Sequence, residues 1–205
     1  IKVIVLLYAT IGIALFYLQD YFLFHPTVIA RNIPYKFDMP FEEVDLPFNT
    51  TDTINLVKFF PKDSVRKGIV LYFHGNRQNV NRFAKFMSNF TQHGYEVWIE
   101  DYPGYGKSVG KRNETVLYQQ AGQIYKLANT KFAADSIVIY GKSLGTGIAA
   151  QLASVVDCRQ LILETPYYSM PALYDCYAPI YPNSRMANYK FPVNEYLQDI
   201  KRPIT

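Results

Sequence analysis

Residues 136–147 read Ser136-Ile137-Val138-Ile139-Tyr140-Gly141-Lys142-Ser143-Leu144-Gly145-Thr146-Gly147. The β-branched and aromatic run at its start is the pattern of a strand buried on both faces. It leads into Gly-x-Ser-x-Gly centred on Ser143, and then into Ile148 to Ala153, which reads as a helix. Strand, sharp turn and helix is the setting in which a serine hydroxyl is pushed out of the backbone as a nucleophile. Gly141 and Gly145 sit two residues either side of Ser143, where side chains would collide in so tight a turn. The start of the following helix turns its N–H groups and positive dipole end toward the serine. Ser143 is therefore the candidate catalytic nucleophile.

Working outward, the chain alternates strands and helices. Gly68 to Phe73 is a continuous apolar run, the mark of a central parallel strand. Phe83, Phe86, Met87 and Phe90 fall at i, i+3, i+4 and i+7, which predicts a helix over 80–92 closed by Gly94. Glu96 to Glu100 is the next strand, and Glu114 to Ala128 the next helix, with Asn113 as its N-cap. Gln160 to Leu163 adds a strand after the serine turn. Upstream, Glu42 to Leu46 and Thr53 to Phe59 alternate partly and predict two antiparallel edge strands. The class is α/β, a mainly parallel sheet covered by helices on both faces.

With 205 residues, 49% hydrophobic and 19% charged, the chain is long and apolar enough for one domain with a sizeable core. Its net charge of +4 is modest, and neither a basic run nor a nucleic-acid motif accompanies it, so a nucleic-acid partner is not expected. Cys158 and Cys176 lack metal-ligand spacing, and a strand between them holds them too far apart for a disulfide. No metal or organic cofactor is implied.

Val3 to Leu18 holds no charged residue, and Tyr21-Phe22-Leu23-Phe24 follows as an aromatic patch. A spanning helix takes about 20 apolar residues. The run is slightly short for that, yet its apolar residues cover every face and its aromatic end suits a membrane interface. A cleaved signal peptide would want small residues near Tyr17-Leu18-Gln19-Asp20, where there are none, and a core helix would show a single apolar stripe. Residues 1–24 are thus expected to be a single-pass membrane anchor, with the side of the membrane undetermined, and residues 25–205 the α/β domain. Residues 25–40, punctuated by Pro26, Pro34 and Pro40, read as an extended connector.

Ligands of such sheets bind beyond the carboxyl ends of the strands. Three loops arrive there. Phe73-His74-Gly75-Asn76 follows the first central strand, and the Asn76 N–H is expected to pair with that of Leu144 as an oxyanion hole. His74 is read as holding this loop through its ring nitrogens. Asp101-Tyr102-Pro103-Gly104-Tyr105-Gly106-Lys107-Ser108 is a compact turn in which Asp101 could act as an acid but is read as satisfying loop amides. Glu164, before Thr165-Pro166-Tyr167, is a minor candidate for the acid.

His74-Gly75-Asn76, the Asp101 to Ser108 turn and Gly141-Lys142-Ser143-Leu144-Gly145, in this order, resemble the α/β-hydrolase superfamily, and more narrowly its membrane-anchored "alpha/beta hydrolase domain-containing" members related to prolyl oligopeptidase. Leu23-Phe24-His25-Pro26 after an apolar segment and Leu163-Glu164-Thr165-Pro166-Tyr167 add to the likeness. The resemblance implies attack by Ser143 on an ester, thioester or amide carbonyl of a small-molecule, lipid or peptide substrate, through an acyl-enzyme. It also implies an acid after the strand that begins near Arg202-Pro203-Ile204, with a histidine later still. His25, His74 and His93 occupy none of those positions. The chain begins with Ile1 and stops at Thr205, so both ends are expected to continue. Transfer of the acyl group to an alcohol or thiol, or a binding role without catalysis, stays open at this point. Residues 166–195, rich in tyrosine and with Pro171, Pro179, Pro182 and Pro192 breaking regular structure, are expected to form a cap over the serine, either as a pocket lining or as a packed surface loop.

Overall fold

The computed structural model describes residues 1–62 and 66–205. Its elements in chain order begin with α1 (Lys2–Tyr17), α2 (Gln19–Leu23), the short β1 (His25–Pro26), β2 (Phe41–Pro47) and β3 (Thr53–Phe59). Next come β4 (Gly68–Phe73), the short β5 (Arg77–Gln78), α3 (Val80–Ala84), α4 (Ser88–Thr91) and β6 (Tyr95–Asp101). The remainder is α5 (Glu114–Asn129), β7 (Ile137–Lys142), α6 (Gly145–Val155), β8 (Gln160–Glu164), α7 (Met170–Tyr177), α8 (Asn183–Met186) and α9 (Val193–Asp199).

Six strands form one sheet in the order β2-β3-β6-β4-β7-β8. The β2–β3 and β3–β6 pairs are antiparallel and the rest parallel. Side chains alternate across a strand, and here the alternation sorts β4 into two cores. Ile69, Leu71 and Phe73 pack with Trp98, Leu117, Ile124, Ile139 and Ile148 on the side of α5 and α6. Val70 and Tyr72 pack with Val80, Phe83, Met87, Val97 and Ile99 on the side of α3 and α4. Residues buried on both faces explain the unbroken apolar runs.

The chain leaves β4 for β6 on one side and returns to β7 on the other. In such sheets ligands bind at the reversal, and it is there, at the carboxyl ends of β4 and β7, that the chain places His74 and Ser143. Beyond β8 the sheet continues: Leu161 N–H donates to Pro203 and Leu163 N–H to Thr205, in parallel register with Ile204 opposite Leu161.

Several expectations need correction. Thr53–Phe59 is interior rather than an edge, because β6 pairs with its other side. The helix expected over 80–92 is two short helices. Phe86 N–H bonds back to Phe83 and Met87 N–H to Ala84, so three-residue turns interrupt it. Residues 1–24 are not one spanning helix. α1 has 16 residues, about 24 Å of rise, the chain breaks at Leu18, and among the described residues no helix is long and apolar enough to cross a membrane. Residues 166–195 are more regular than their prolines suggested, carrying α7, α8 and the start of α9. This segment packs against α6 and against the N-terminal helices. Tyr181 stacks on Tyr8 with centroids 4.7 Å apart and fills the space beside Gly12. Tyr8 and Tyr181 hydroxyls donate reciprocally to Ile180 and Tyr8 carbonyls. Gln19 bridges the Met186 carbonyl and the Asn188 N–H. Cys158 is buried and Cys176 exposed, and both are free thiols.

Candidate active site

Ser143 follows directly on β7, at φ 49°, a left-handed backbone conformation that a side chain rarely adopts. Strain of this kind persists only where the surroundings impose it. Here they do so through close backbone approach. A Cβ on Gly145 would lie 2.1 Å from the Phe73 carbonyl oxygen, and one on Gly141 2.6 Å from the Gly145 carbonyl. Ser143 N–H donates to the Glu164 carbonyl at 2.8 Å, and Thr146 closes the turn with its hydroxyl on the Ser143 carbonyl at 2.6 Å. The serine is partly exposed and its hydroxyl makes no hydrogen bond to any described residue.

The loop after β4 comes up beside it. A Cβ built on Gly75 would sit 3.6 Å from the Ser143 Cβ. Among the described residues neither the Asn76 nor the Leu144 N–H has a protein acceptor. Leu144 stands at the first turn of α6, where such orphan donors are expected. The structure thus brings Gly75 against Ser143, with Asn76 and Leu144 the next residue along in each loop.

His74 lies beneath, fully buried, its ring stacked on Tyr102 at 4.1 Å and on Phe83 at 5.0 Å. Its Nδ1–H donates to the Gly75 carbonyl at 2.6 Å, and its Nε2 is 3.9 Å from Asp101 Oδ1. Burial lowers its pKa to about 4, against backbone bonds to Gly75 and Glu100 that raise it. Burial thus favours the neutral ring, no part of which reaches solvent. Asp101 is also fully buried and accepts from the Tyr35 hydroxyl at 2.7 Å and the Val80 N–H at 2.8 Å. Burial raises its pKa to about 6, while Tyr35, Val80 and the Lys107 N–H pull it down. It ties the connector, the start of α3 and the loop after β6 together under the site.

Glu164 ends β8 with its carboxylate on Lys142 Nζ and the Tyr140 hydroxyl. Burial raises its pKa, but these two partners prevail and leave it below the usual carboxylate range. A carboxylate committed to Lys142 and Tyr140 is not oriented on a histidine. His25 and His93 are exposed and pair with neither Ser143 nor a carboxylate.

Sequence reasoning missed three contributors. Tyr105 donates to the Asn76 carbonyl at 2.7 Å, Tyr102 to that of His74 at 2.7 Å, and Tyr35 to Asp101. The tyrosine-rich turn at 101–108 was the available signal for the first two. Among the described residues no group of three or more His, Cys, Asp or Glu is placed to hold a metal ion.

A parallel sheet carrying a strained serine at the strand-to-helix turn, faced by a His-Gly-Asn loop, defines an α/β-hydrolase. The chain belongs to the family described as "Serine aminopeptidase, S33" (Hydrolase_4), whose profile matches residues 64–194. Over 103 residues, 49% of this chain, it is 33% identical to the alpha/beta hydrolase domain-containing protein aho-3 of Caenorhabditis elegans, covering 31% of that protein. It is 30% identical to the alpha/beta hydrolase domain-containing protein 17C of Mus musculus over 49% of this chain and 32% of that one. The chain spans about a third of the length of these relatives. Among solved structures, an alpha-beta hydrolase from Vibrio vulnificus superimposes with a TM-score of 0.68 at 22% identity, covering 80% of this chain and 62% of that one. A Pyrococcus furiosus esterase gives 0.63 at 18% identity, covering 89% and 75%. At those identities the likeness shows the fold.

Proposed function

We propose that the protein is a serine hydrolase acting on an ester, thioester or amide through an acyl-enzyme on Ser143. The reading rests on one observation above the rest: a serine held at positive φ, its hydroxyl unpaired, with Gly75 packed against it and the N–H groups of Asn76 and Leu144 lacking acceptors among the described residues. The Ser143 oxygen attacks the acyl carbonyl as its proton passes to a histidine. The carbonyl oxygen takes the electron pair and is held by the N–H groups of Asn76 and Leu144. The alcohol, thiol or amine then leaves with that proton, and water releases the acid by the same route reversed. The histidine and its carboxylate partner belong to a segment after residue 205. Pairing of residues 203–205 alongside β8 supports this, because it carries the sheet onward beside the serine turn.

Fluorophosphonate labelling of the full-length protein tests the reading. Labelling that disappears in Ser143→Ala, with hydrolysis of p-nitrophenyl butyrate down by ~10³-fold or more, is the expected result. Equal labelling in both proteins, or none in either, overturns it in favour of a binding protein on a hydrolase fold.

Membrane attachment through α1 is part of the same proposal. Val3 to Leu7, Ile11 and Ile13 are exposed, and the helix carries no charge beyond Lys2. An exposed apolar surface of that extent is the kind that enters lipid. Flotation of the full-length protein with phosphatidylcholine vesicles is expected, and its loss in a Leu6→Lys, Ile13→Lys double variant. Flotation unchanged by the double variant removes α1 from membrane binding.

A further inference from the structure

The chain directly after the N-terminal helices is hydrogen-bonded into the loop that carries Asn76. The Asn76 side chain donates its Nδ2–H to the Leu23 carbonyl at 2.8 Å, and the Asn76 carbonyl accepts from the His25 N–H at 2.9 Å. β1 then pairs with β5 in parallel, His25 opposite Arg77 and Pro26 opposite Gln78. Thr27 N–H donates to the Gln78 carbonyl at 3.1 Å, and Asn79 Nδ2–H to the Thr27 carbonyl at 2.8 Å. Gln78 is held at φ 65°, so this loop is strained where it meets the strap.

The strap is itself fixed. Phe24 is buried, stacked edge-on against Tyr189, with the Arg112 guanidinium 4.0 Å from its ring centre. On its far side the Gly106 N–H donates to Thr27 and the Ile29 N–H to Gly106. Tyr105, from the same 101–108 turn, places its hydroxyl on the Asn76 carbonyl. The Asn76 Nδ2–H and carbonyl are thereby engaged, two of their three bonds coming from residues 23–25. Its backbone N–H, one residue on from the Gly75 that faces Ser143, has no acceptor among the described residues.

We propose that residues 23–27 and the Tyr105 hydroxyl position the oxyanion donor, with the Asn76 side chain as the positioning residue through which they act. The N-terminal segment is then a working part of the site as well as a means of attachment. This rests on the reading of Asn76 as an oxyanion donor. A donor matters only if it stands about 3 Å from the oxygen as charge develops, so misplacing it lowers turnover without weakening substrate binding.

The test uses the full-length protein with p-nitrophenyl butyrate as substrate. Asn76→Ala, which frees the side chain from Leu23 but keeps the backbone N–H, is expected to lower kcat about 10- to 100-fold with KM within about twofold. Tyr105→Phe removes a single hydroxyl and is expected to lower kcat about fivefold with the same constant KM. Should Asn76→Ala fail to fold, Tyr105→Phe carries the test. Both variants turning over like the native protein, or losing KM and kcat together, overturns the inference and leaves the hydrolase reading standing. A native protein that neither labels nor turns over removes both.

Discussion

The serine turn and the cap lie side by side on α6, yet they are held by different means. The turn is built from main chain against main chain. Gly141 and Gly145 let α6 approach β4 and β7 so closely that a single Cβ would meet backbone oxygen. The cap is built from aromatic side chains and scattered hydrogen bonds. Tyr181 rests on Tyr8, Tyr189 on Phe24 and Phe191, and Tyr167 reaches the Leu144 carbonyl at 3.2 Å. Main chain held between two strands cannot yield, whereas a ring at a surface can turn. The contrast predicts unequal responses to substitution.

The largest effect is expected at Gly145. Its Cβ in Gly145→Ala would stand 2.1 Å from the Phe73 carbonyl oxygen and 2.5 Å from the carbonyl carbon, both in the centre of the sheet. Neither atom can move without shifting β4. Destabilisation of about 4 kcal/mol or more is expected by urea denaturation, together with loss of Ser143 labelling. A native-like midpoint would mean that α6 can slide, and would erase the distinction drawn between the two regions.

Tyr181→Ala comes next. The ring is 7% exposed and fills the space beside Gly12, but the groove it closes is open to solvent on one side. A loss of about 2 kcal/mol is expected, below the usual range for a fully enclosed aromatic ring. Limited proteolysis is expected to accelerate near Leu18, where α1 ends, while fluorophosphonate still labels Ser143. If labelling falls with the tyrosine, cap and turn are one mechanical unit and the comparison fails.

The same contrast explains what could be read from the amino acids. β4, β7 and α6 were legible because burial on both faces leaves runs of apolar residues, Gly68 to Phe73 and Ile137 to Tyr140, and close approach leaves small residues in the helix. The pattern at Phe83, Phe86, Met87 and Phe90 was misleading, since a spacing of three suits a three-residue turn as well as an α-helix. In the cap the prolines pointed the wrong way. Pro171 lies in the first turn of α7, and Pro182 and Pro192 stand immediately before α8 and α9, so they begin helices where they had been read as ending structure. The strap at 23–27 was invisible for another reason. Its bonds to the Asn76 loop use the backbone of Leu23 and His25, some fifty residues away, and backbone groups leave no mark in a sequence.

The last effect concerns the buried pair beneath the site, and it appears as a slope rather than a loss. Asp101 has a folded pKa of about 6, raised above its ordinary 3.8 chiefly by burial. Its contribution to stability is complete below about pH 3.8 and is lost as pH rises through 6. His74 has a folded pKa of about 4, lowered from 6.5 by burial. Its contribution is complete above about pH 6.5 and is lost as pH falls through 4. Between pH 4 and 6 the two run in opposite directions and largely cancel. Asp101→Asn removes one and leaves the other. Normalised to their own values at pH 7, the variant is expected to fall about 2 kcal/mol below the native protein by pH 4, measured by urea denaturation across that range. The absolute stability of the variant also drops, because an amide cannot accept from both Tyr35 and Val80 while presenting no donor to either. That drop is common to every pH, so only the divergence of the curves reports the titration. Parallel curves would mean that Asp101 is as acidic when folded as when unfolded, and that hydrogen bonds from Tyr35, Val80 and Lys107 balance its burial.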